Sequence, residues 1–344
     1  VPVAAFTVTK ARWMARVEQQ NAQRTARMML PHDYLTWHLA GRPEIASTDR
    51  GEVSGTGYWS PDTGAYRDDL LQMALGHMPQ VPVVRAPHEP IGRTAAGILL
   101  GPGTGDNMGA ALGLGLQSGD VVVSLGTSGT AFAVSDVPAH DPTGQVAGFA
   151  DATGHFLPLV CTLNAARVLT AGAQLLGVDL DRFARLALSA PAGSEGLVLL
   201  PYLDGERTPN LPDARGSLHG ITRDNLRPQN LARACVEGML GGLADAVDAL
   251  VAVGVTPRRV LLIGGAAASA AVAPIAATMV DVPVVVPPAG EYVADGAARQ
   301  AAWVLSDSST PPAWAIGGAG VVHEPAPVPS VREQYAAARQ ALHG

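Results

Sequence analysis

The chain has 344 residues, a formal net charge of −7, 47% hydrophobic residues and only 15% charged ones. That is the composition of a packed protein with room for two domains, so disorder is not expected except at the ends, and an acidic balance without a basic run argues against nucleic acid or an anionic membrane surface as partner. A small-molecule ligand is favoured by elimination.

The chain begins at Val1 with neither a methionine nor a signal-like pattern, which reads as a cut end. An amphipathic helix is expected over Lys10–Arg27, a second around Leu30–Leu35 with Asp33 near its start, and a loop-rich stretch over Gly41–Gly64. Trp13, Trp37, Tyr58 and Trp59 are expected in the core rather than stacked on a ligand. Ala96–Leu100 reads as a short strand and Gly101–Gly105 as a flexible loop, after which Asp106 opens a helix of small residues, MGAALGLGL. Asp106 can be explained as an N-cap. An N-cap does not explain three glycines in front of it, which would let a ligand approach the backbone.

Val121–Leu125 is a buried strand, and Gly126-Thr127-Ser128-Gly129 turns it into a second strand, TAFAV. Glycines on either side of two hydroxyls let successive N–H groups point into one concavity, which holds phosphate oxygens without a lysine. In the second half, Gln229–Val253 carries Leu231, Cys235, Met239, Leu243, Ala246 and Leu250 on one helical stripe, and Gly238, Gly241 and Gly242 imply close packing. Arg259–Ile263 then reads as a strand, Gly264-Gly265 as a tight turn, Ala266–Val280 as a buried helix, Val282–Val286 as a strand and Ala294–Leu305 as a helix. The apolar stretch Gly264–Val280 contains Pro274 and runs into Asp281, so it is not taken as a membrane span.

Several machines are ruled out. Lys10 is the only lysine among 23 Lys and Arg residues, so neither a G-x-x-x-x-G-K-[ST] loop nor a protein-kinase lysine exists. No G-x-G-x-x-G follows a strand, no H-E-x-x-H is present, and Thr130 replaces the last glycine of a G-x-S-x-G elbow. Cys161 and Cys235 show no metal-ligand spacing and read as reduced core residues of a cytoplasmic protein.

In order, FTVTKARWM, LPHDYLTWHLAG, GTGDNMGAALGLG, SLGTSGT, LPYLDGERTPNLPDARGSLHGIT, NLARACVEGML, LLIGGAAAS and YVADGAARQAAW resemble the FGGY carbohydrate kinases, and within them the pentulose kinases. The resemblance runs over nearly the whole chain. It implies an α/β, actin-like (ribonuclease H-like) two-domain fold with its first domain incomplete, divided as 1–105, 106–306 and a linker and C-terminal helix over 307–344. The implied activity is transfer of the γ-phosphate of ATP to D-xylulose with Mg²⁺. Asp106 would be catalytic base and sugar ligand, Asn107 a second sugar contact, Gly126, Thr127 and Ser128 the phosphate turn, and Gly265, Ala266 and Ser269 the adenosine surface; no residue is assigned to metal.

Glu206, Arg207 and Arg215 are expected to order a loop through ion pairs, and Glu291 and Asp295 to be structural. The sugar is the expected partner, with neither nucleic acid nor membrane, and a second copy of the chain is the one macromolecular partner considered. The alternatives are another FGGY sugar or polyol kinase, and a non-catalytic sugar- or nucleotide-binding remnant. Two departures stand out: Ala266 occupies the third position of the family's GGGA turn, and the family's opening strand with its Asp-x-Gly-Thr loop is not found. Residues 1–344 alone are therefore expected to be inactive and prone to associate through uncovered apolar faces.

Overall fold

In the computed structural model, which describes residues 3–306, 308–314 and 320–343, the chain divides into two units. One takes Val1–Ser118, Val134–Pro158 and Gly290–Ile316, the other Gly119–Ala133, Leu159–Ala289 and Gly317–Gly344. Asp307 and residues 315–319 of the expected linker lie outside the described residues. The architecture is the expected mixed α/β.

In the first unit, the helix expected over Lys10–Arg27 is two helices, Thr7–Val17 and Gln19–Arg24, with Glu18 between them at φ −123° and ψ 54°. The break brings Ala22 into the apolar cluster of Val8, Ala11, Tyr58, Leu71, Ala74 and Leu75, and this packing outweighs the unbroken helical propensity. Tyr58 and Trp59 are buried as expected, but Trp13 is 55% exposed. Trp37 lies under the guanidinium groups of Arg27 and Arg42.

The stretch expected as loop contains a strand, Ser47–Asp49, paired in parallel with Val83–Arg85, and a helix, Arg50–Ser54. Elements of three and five residues are too short to leave a periodic signal.

The helix Asp106–Leu114 packs against Tyr292–Ser306 backbone to backbone. A Cβ on Gly296 would fall inside the carbonyl of Gly109, and one on Gly113 inside the carbonyl of Tyr292. Glycine is what permits this approach.

The second unit is built on a mixed sheet in which Arg259–Ile263 lies parallel to both Asp120–Leu125 and Val284–Val286. Asp120–Leu125 continues antiparallel into Gly129–Ala133, which pairs with residues 159–162, and Val321–His323 lies antiparallel beside Val284–Val286. Val121, Val122 and Leu125 are completely buried, and the helix Pro228–Ala252 buries Met239, Leu243, Ala246 and Leu250. Its glycines pack as expected at two positions: a Cβ on Gly238 would strike the Leu199 carbonyl, and one on Gly241 would lie 2.8 Å from the Tyr335 ring.

The helix expected over Ala266–Val280 is instead a 3₁₀ turn, Gly265–Ala268, and a short helix, Val272–Ala276. Ser269 is extended between them, and Pro274 sits in the first turn of the second piece, where its missing donor is tolerated. Among the described residues no helix is long and apolar enough to cross a membrane.

Candidate active site

The parallel strands Asp120–Leu125 and Arg259–Ile263 run in register, with Ser124 opposite Ile263, so the segments that follow them emerge side by side. Ligands of α/β sheets gather at such carboxyl ends. Gly264 has φ +87°, and a Cβ on it would lie 2.8 Å from the carbonyl of Leu125, so the two strand ends touch through bare backbone.

The pair Leu125 and Gly129 closes the hairpin and leaves Gly126, Thr127 and Ser128 as its tip. Neither Gly126 nor Gly129 adopts a left-handed conformation, so conformational freedom is not what the turn requires. Space is required at Gly129, where a Cβ would lie 2.6 Å from Thr162 Oγ1 and 2.8 Å from Leu243 Cδ2. The amides of Ala165 and Ala166, at the start of the helix Ala166–Leu176, donate to Thr127 O (3.4 Å) and Gly126 O (2.9 Å). In a planar trans peptide the carbonyl and the next N–H point in opposite directions, so the N–H groups of Thr127 and Ser128 are turned away from that helix. Thr127 and Ser128 are themselves exposed, an arrangement suited to an anion.

Beside this tip, nothing lies within 4 Å of the position a Cβ would take on Gly265. Ala266 is 8% exposed, so the extra methyl at this departure from the family turn is buried, while Ser269 is half-buried.

The tip and the segments beside it are held in part by Arg167 and Asn164, which no sequence motif marks. Arg167 Nε donates to Thr127 O (3.2 Å) and its guanidinium pairs with Asp204. Asn164 is buried, donates from Nδ2 to Gly205 O (2.7 Å) and Glu206 Oε2 (2.9 Å), and accepts from Leu203 N (3.2 Å). Glu206 is not the expected ion pair: its buried Oε1 accepts from the amides of Leu163 (2.6 Å) and Arg207 (2.7 Å), while Arg207 and Arg215 are exposed. Asn164→Ala strips partners from a buried carboxylate oxygen and from the Leu203 amide, and should cost about 2–4 kcal/mol by urea unfolding. A change below about 0.5 kcal/mol would mean that the network does not hold this turn.

In the first unit Asp106 is the first residue of its helix, and Gly105, not Asp106, is the N-cap. Asp106 Oδ1 accepts from Asn107 N (2.7 Å) and Asn107 Nδ2 (2.8 Å), so Asn107 fixes the rotamer of an exposed carboxylate. The loop before it is held by Gln300, whose Nε2 donates to Gly103 O (2.6 Å).

Around this loop stand His32, Asp33, Asp49 and Glu52. Burial alone would lower the His32 pKa, but Asp49, Asp33 and Glu52 together raise it above the ordinary value. Burial raises Asp33 against the pull of His32, and burial likewise raises Glu52. The motif LPHDYL contains His32 and Asp33, but their partners lie far away in the chain and only the fold reveals the cluster.

The model of the FGGY family N-terminal domain matches residues 2–114, and that of the C-terminal domain matches residues 121–305. The chain belongs to the FGGY family of carbohydrate kinases. This FGGY chain is 44% identical over 315 residues to a xylulose kinase of Streptomyces coelicolor, covering 89% of the chain and 63% of that protein. Among solved structures it is similar to the xylulose kinase from Bifidobacterium adolescentis, with 44% identity and a TM-score of 0.90, covering 98% of this chain and 73% of that one. A gluconate kinase from Lactobacillus acidophilus matches at 25% identity and a TM-score of 0.87, over 98% of this chain and 72% of that one. The chain thus spans under two thirds of the length of the Streptomyces relative.

Proposed function

We propose that this chain carries machinery for ATP-dependent phosphorylation of D-xylulose to D-xylulose 5-phosphate. The observation that carries the reading is an exposed Asp106 carboxylate, held by Asn107 at the tip of its helix, in a chain 44% identical to a xylulose kinase. A primary alcohol is a weak nucleophile, and the loose transition state of phosphoryl transfer asks mainly for positioning and charge neutralisation. The sugar O5 attacks the γ-phosphorus, the bond from that phosphorus to the β–γ bridging oxygen breaks, and ADP departs. The O5 proton passes late to Asp106, and Asn107 keeps the accepting carboxylate in place while contacting the sugar.

The Thr127 and Ser128 amides, with the Thr127 hydroxyl, would take the phosphates, and the open face at Gly265, with Ala266 and Ser269 in the same segment, would receive adenosine. The bare backbone at Gly265 fits the approach of a flat ring. Mg²⁺ would neutralise phosphate charge when bound. The nucleotide phosphates would be its main ligands, and among the described residues no group of three His, Cys, Asp or Glu side chains is placed to hold a metal ion. Cys161 and Cys235 are not joined in a disulfide, which suits a cytoplasmic setting where sugar and ATP occur.

The similarity to a gluconate kinase favours a second reading, transfer to another sugar or sugar acid, because the same fold serves that acceptor. A panel of sugars assayed with the full gene product that carries this chain decides between them. Preference for D-xylulose in kcat/KM supports the first reading, and preference for gluconate overturns it.

Thr127→Val tests the nucleotide half. Removing the hydroxyl and placing an apolar branched group at the anion site should raise KM for MgATP about tenfold and that for the sugar little. An effect confined to the sugar would assign the turn to the wrong substrate.

A further inference from the structure

The cluster around His32 has no task in the phosphoryl-transfer scheme, yet it supports the loop that delivers Asp106. His32 Nε2 lies 3.2 Å from Asp49 Oδ1 and 3.4 Å from Asp33 Oδ1. Each carboxylate uses its other oxygen to begin a helix. Asp33 Oδ2 accepts from the Leu30 amide (2.9 Å) at the start of Pro31–Leu39, and Asp49 Oδ2 accepts from the Gly51 (2.8 Å) and Glu52 (3.1 Å) amides at the start of Arg50–Ser54. Asp33 and Asp49 are 2% and 3% exposed, and neither Oδ1 has a hydrogen-bond partner of its own.

Two buried anionic oxygens therefore converge on one imidazole nitrogen. Burying such charges without a counter-charge is costly. Arg50 also acts on Asp49, but its guanidinium is engaged by Asp151 (3.4 Å) and the His155 carbonyl (2.8 Å).

The same imidazole is a floor for the catalytic loop. A Cβ on Gly103 would lie 2.8 Å from His32 Nδ1 and 3.0 Å from Cε1, so the ring rests directly on the Gly103 backbone. Two residues on, a Cβ at Gly105 would lie 3.5 Å from Glu52 Cγ and Cδ, so the N-cap of the Asp106 helix rests on Glu52, whose own helix Asp49 caps. His32, Asp49 and Glu52 thus form a continuous support from two helix starts to the residue before Asp106.

We propose that His32 is a positioning residue for Asp106: as the imidazolium it clamps Asp33 to Asp49 and seats the Gly101–Gly105 loop, and on losing its proton it releases that loop. The clamp stands on geometry within one unit, and its effect on rate rests on the reading of Asp106 as the base.

The groups facing His32 are Asp33, Asp49 and Glu52, and Asp106 acts in turn on Glu52. Thr48, Tyr58 and Tyr66 face Asp33, and burial holds both tyrosines protonated well beyond their usual range. His32 is raised in the folded state, so the stability it contributes is complete below its ordinary value of about 6.5 and is lost as pH rises through the folded value. Asp33 and Glu52, raised by burial, lose stability in the same sense but from the ordinary carboxylate values of 3.8 and 4.5 upward, so the step that follows the imidazole belongs to His32. The clamp loosens on the alkaline side.

The test is an NMR titration of the full gene product that carries this chain from about pH 6 to about pH 9, following the His32 ring and the amides of Gly103, Gly105, Asp106 and Asn107. The proposal expects a ring midpoint above about 6.5 and the four amides moving with that same midpoint. In His32→Lys, which keeps its charge across this range, the amides should hold their low-pH positions. In the full gene product, kcat should fall about tenfold on the alkaline side with the same midpoint while KM for MgATP stays level, and His32→Lys should abolish the fall.

Amides that ignore the ring titration in the unsubstituted chain overturn the proposal, whatever the variant does. So does an alkaline fall in kcat that persists in a folded His32→Lys protein. If no phosphoryl transfer occurs at any pH while the amides follow His32, the clamp stands and the kinase reading fails.

Discussion

Asp106→Asn should lower kcat for phosphoryl transfer by about 10³-fold while leaving nucleotide affinity close to the unsubstituted value. The substitution keeps the shape of the side chain, and an amide Oδ1 can still accept the two hydrogen bonds from Asn107. Gly105 remains the N-cap, so the helix start is kept, and losing one negative charge in its first turn costs about 0.3–1 kcal/mol. What disappears is the group proposed to accept the sugar proton. The measurement is single-turnover phosphorylation in the full gene product together with ADP binding by calorimetry. Turnover within about threefold of the unsubstituted enzyme would remove Asp106 from the role of base.

Gly296→Ala should be the most damaging single methyl addition in the first unit. Its Cβ would overlap the carbonyl of Gly109, so Asp106–Leu114 and Tyr292–Ser306 must separate. Backbone overlap cannot be relieved by a rotamer change, and a loss of about 3 kcal/mol or more is expected, or failure to accumulate as folded protein. Gly242→Ala is the matched control, since its Cβ would meet only the Tyr335 hydroxyl at 3.5 Å, within a helix where alanine is favoured. Urea unfolding followed by circular dichroism separates the two. Equal midpoints would show that the helices do not meet through their backbones.

How much could be read in advance follows from how local each feature is. The strand–turn–strand around Gly126–Gly129, the helix begun at Asp106 and the long Pro228–Ala252 helix lie in continuous runs, and their residues could be named from sequence. The family resemblance, now shown by matches to both domain models, added the chemistry.

Features that depend on residues distant in sequence stayed hidden. His32 and Asp33 are adjacent, but Asp49, Glu52 and Gly103 join them only through tertiary folding. Glu206 sits beside Arg207 and reads as an ion pair, whereas the fold uses its carboxylate to collect the amides of Leu163 and Arg207 and the side chain of Asn164. Ala266–Val280 has a helical composition, yet its chain extends at Ser269 and resumes as Val272–Ala276, because contacts with the sheet outweigh propensity. Glycine was informative for the wrong reason at Gly129, where lack of space and not a left-handed backbone excludes a side chain.

In the proposed reaction a phosphoryl group passes from ATP to the 5-hydroxyl of D-xylulose and Asp106 receives the proton. Phosphorus-31 NMR of the full gene product that carries this chain, with MgATP and D-xylulose, tests it most directly. The expected result is a sugar monophosphate signal growing one for one with ADP, identified as D-xylulose 5-phosphate and missing in Asp106→Asn. ADP formed with inorganic phosphate alone, at a rate indifferent to the sugar, would contradict it.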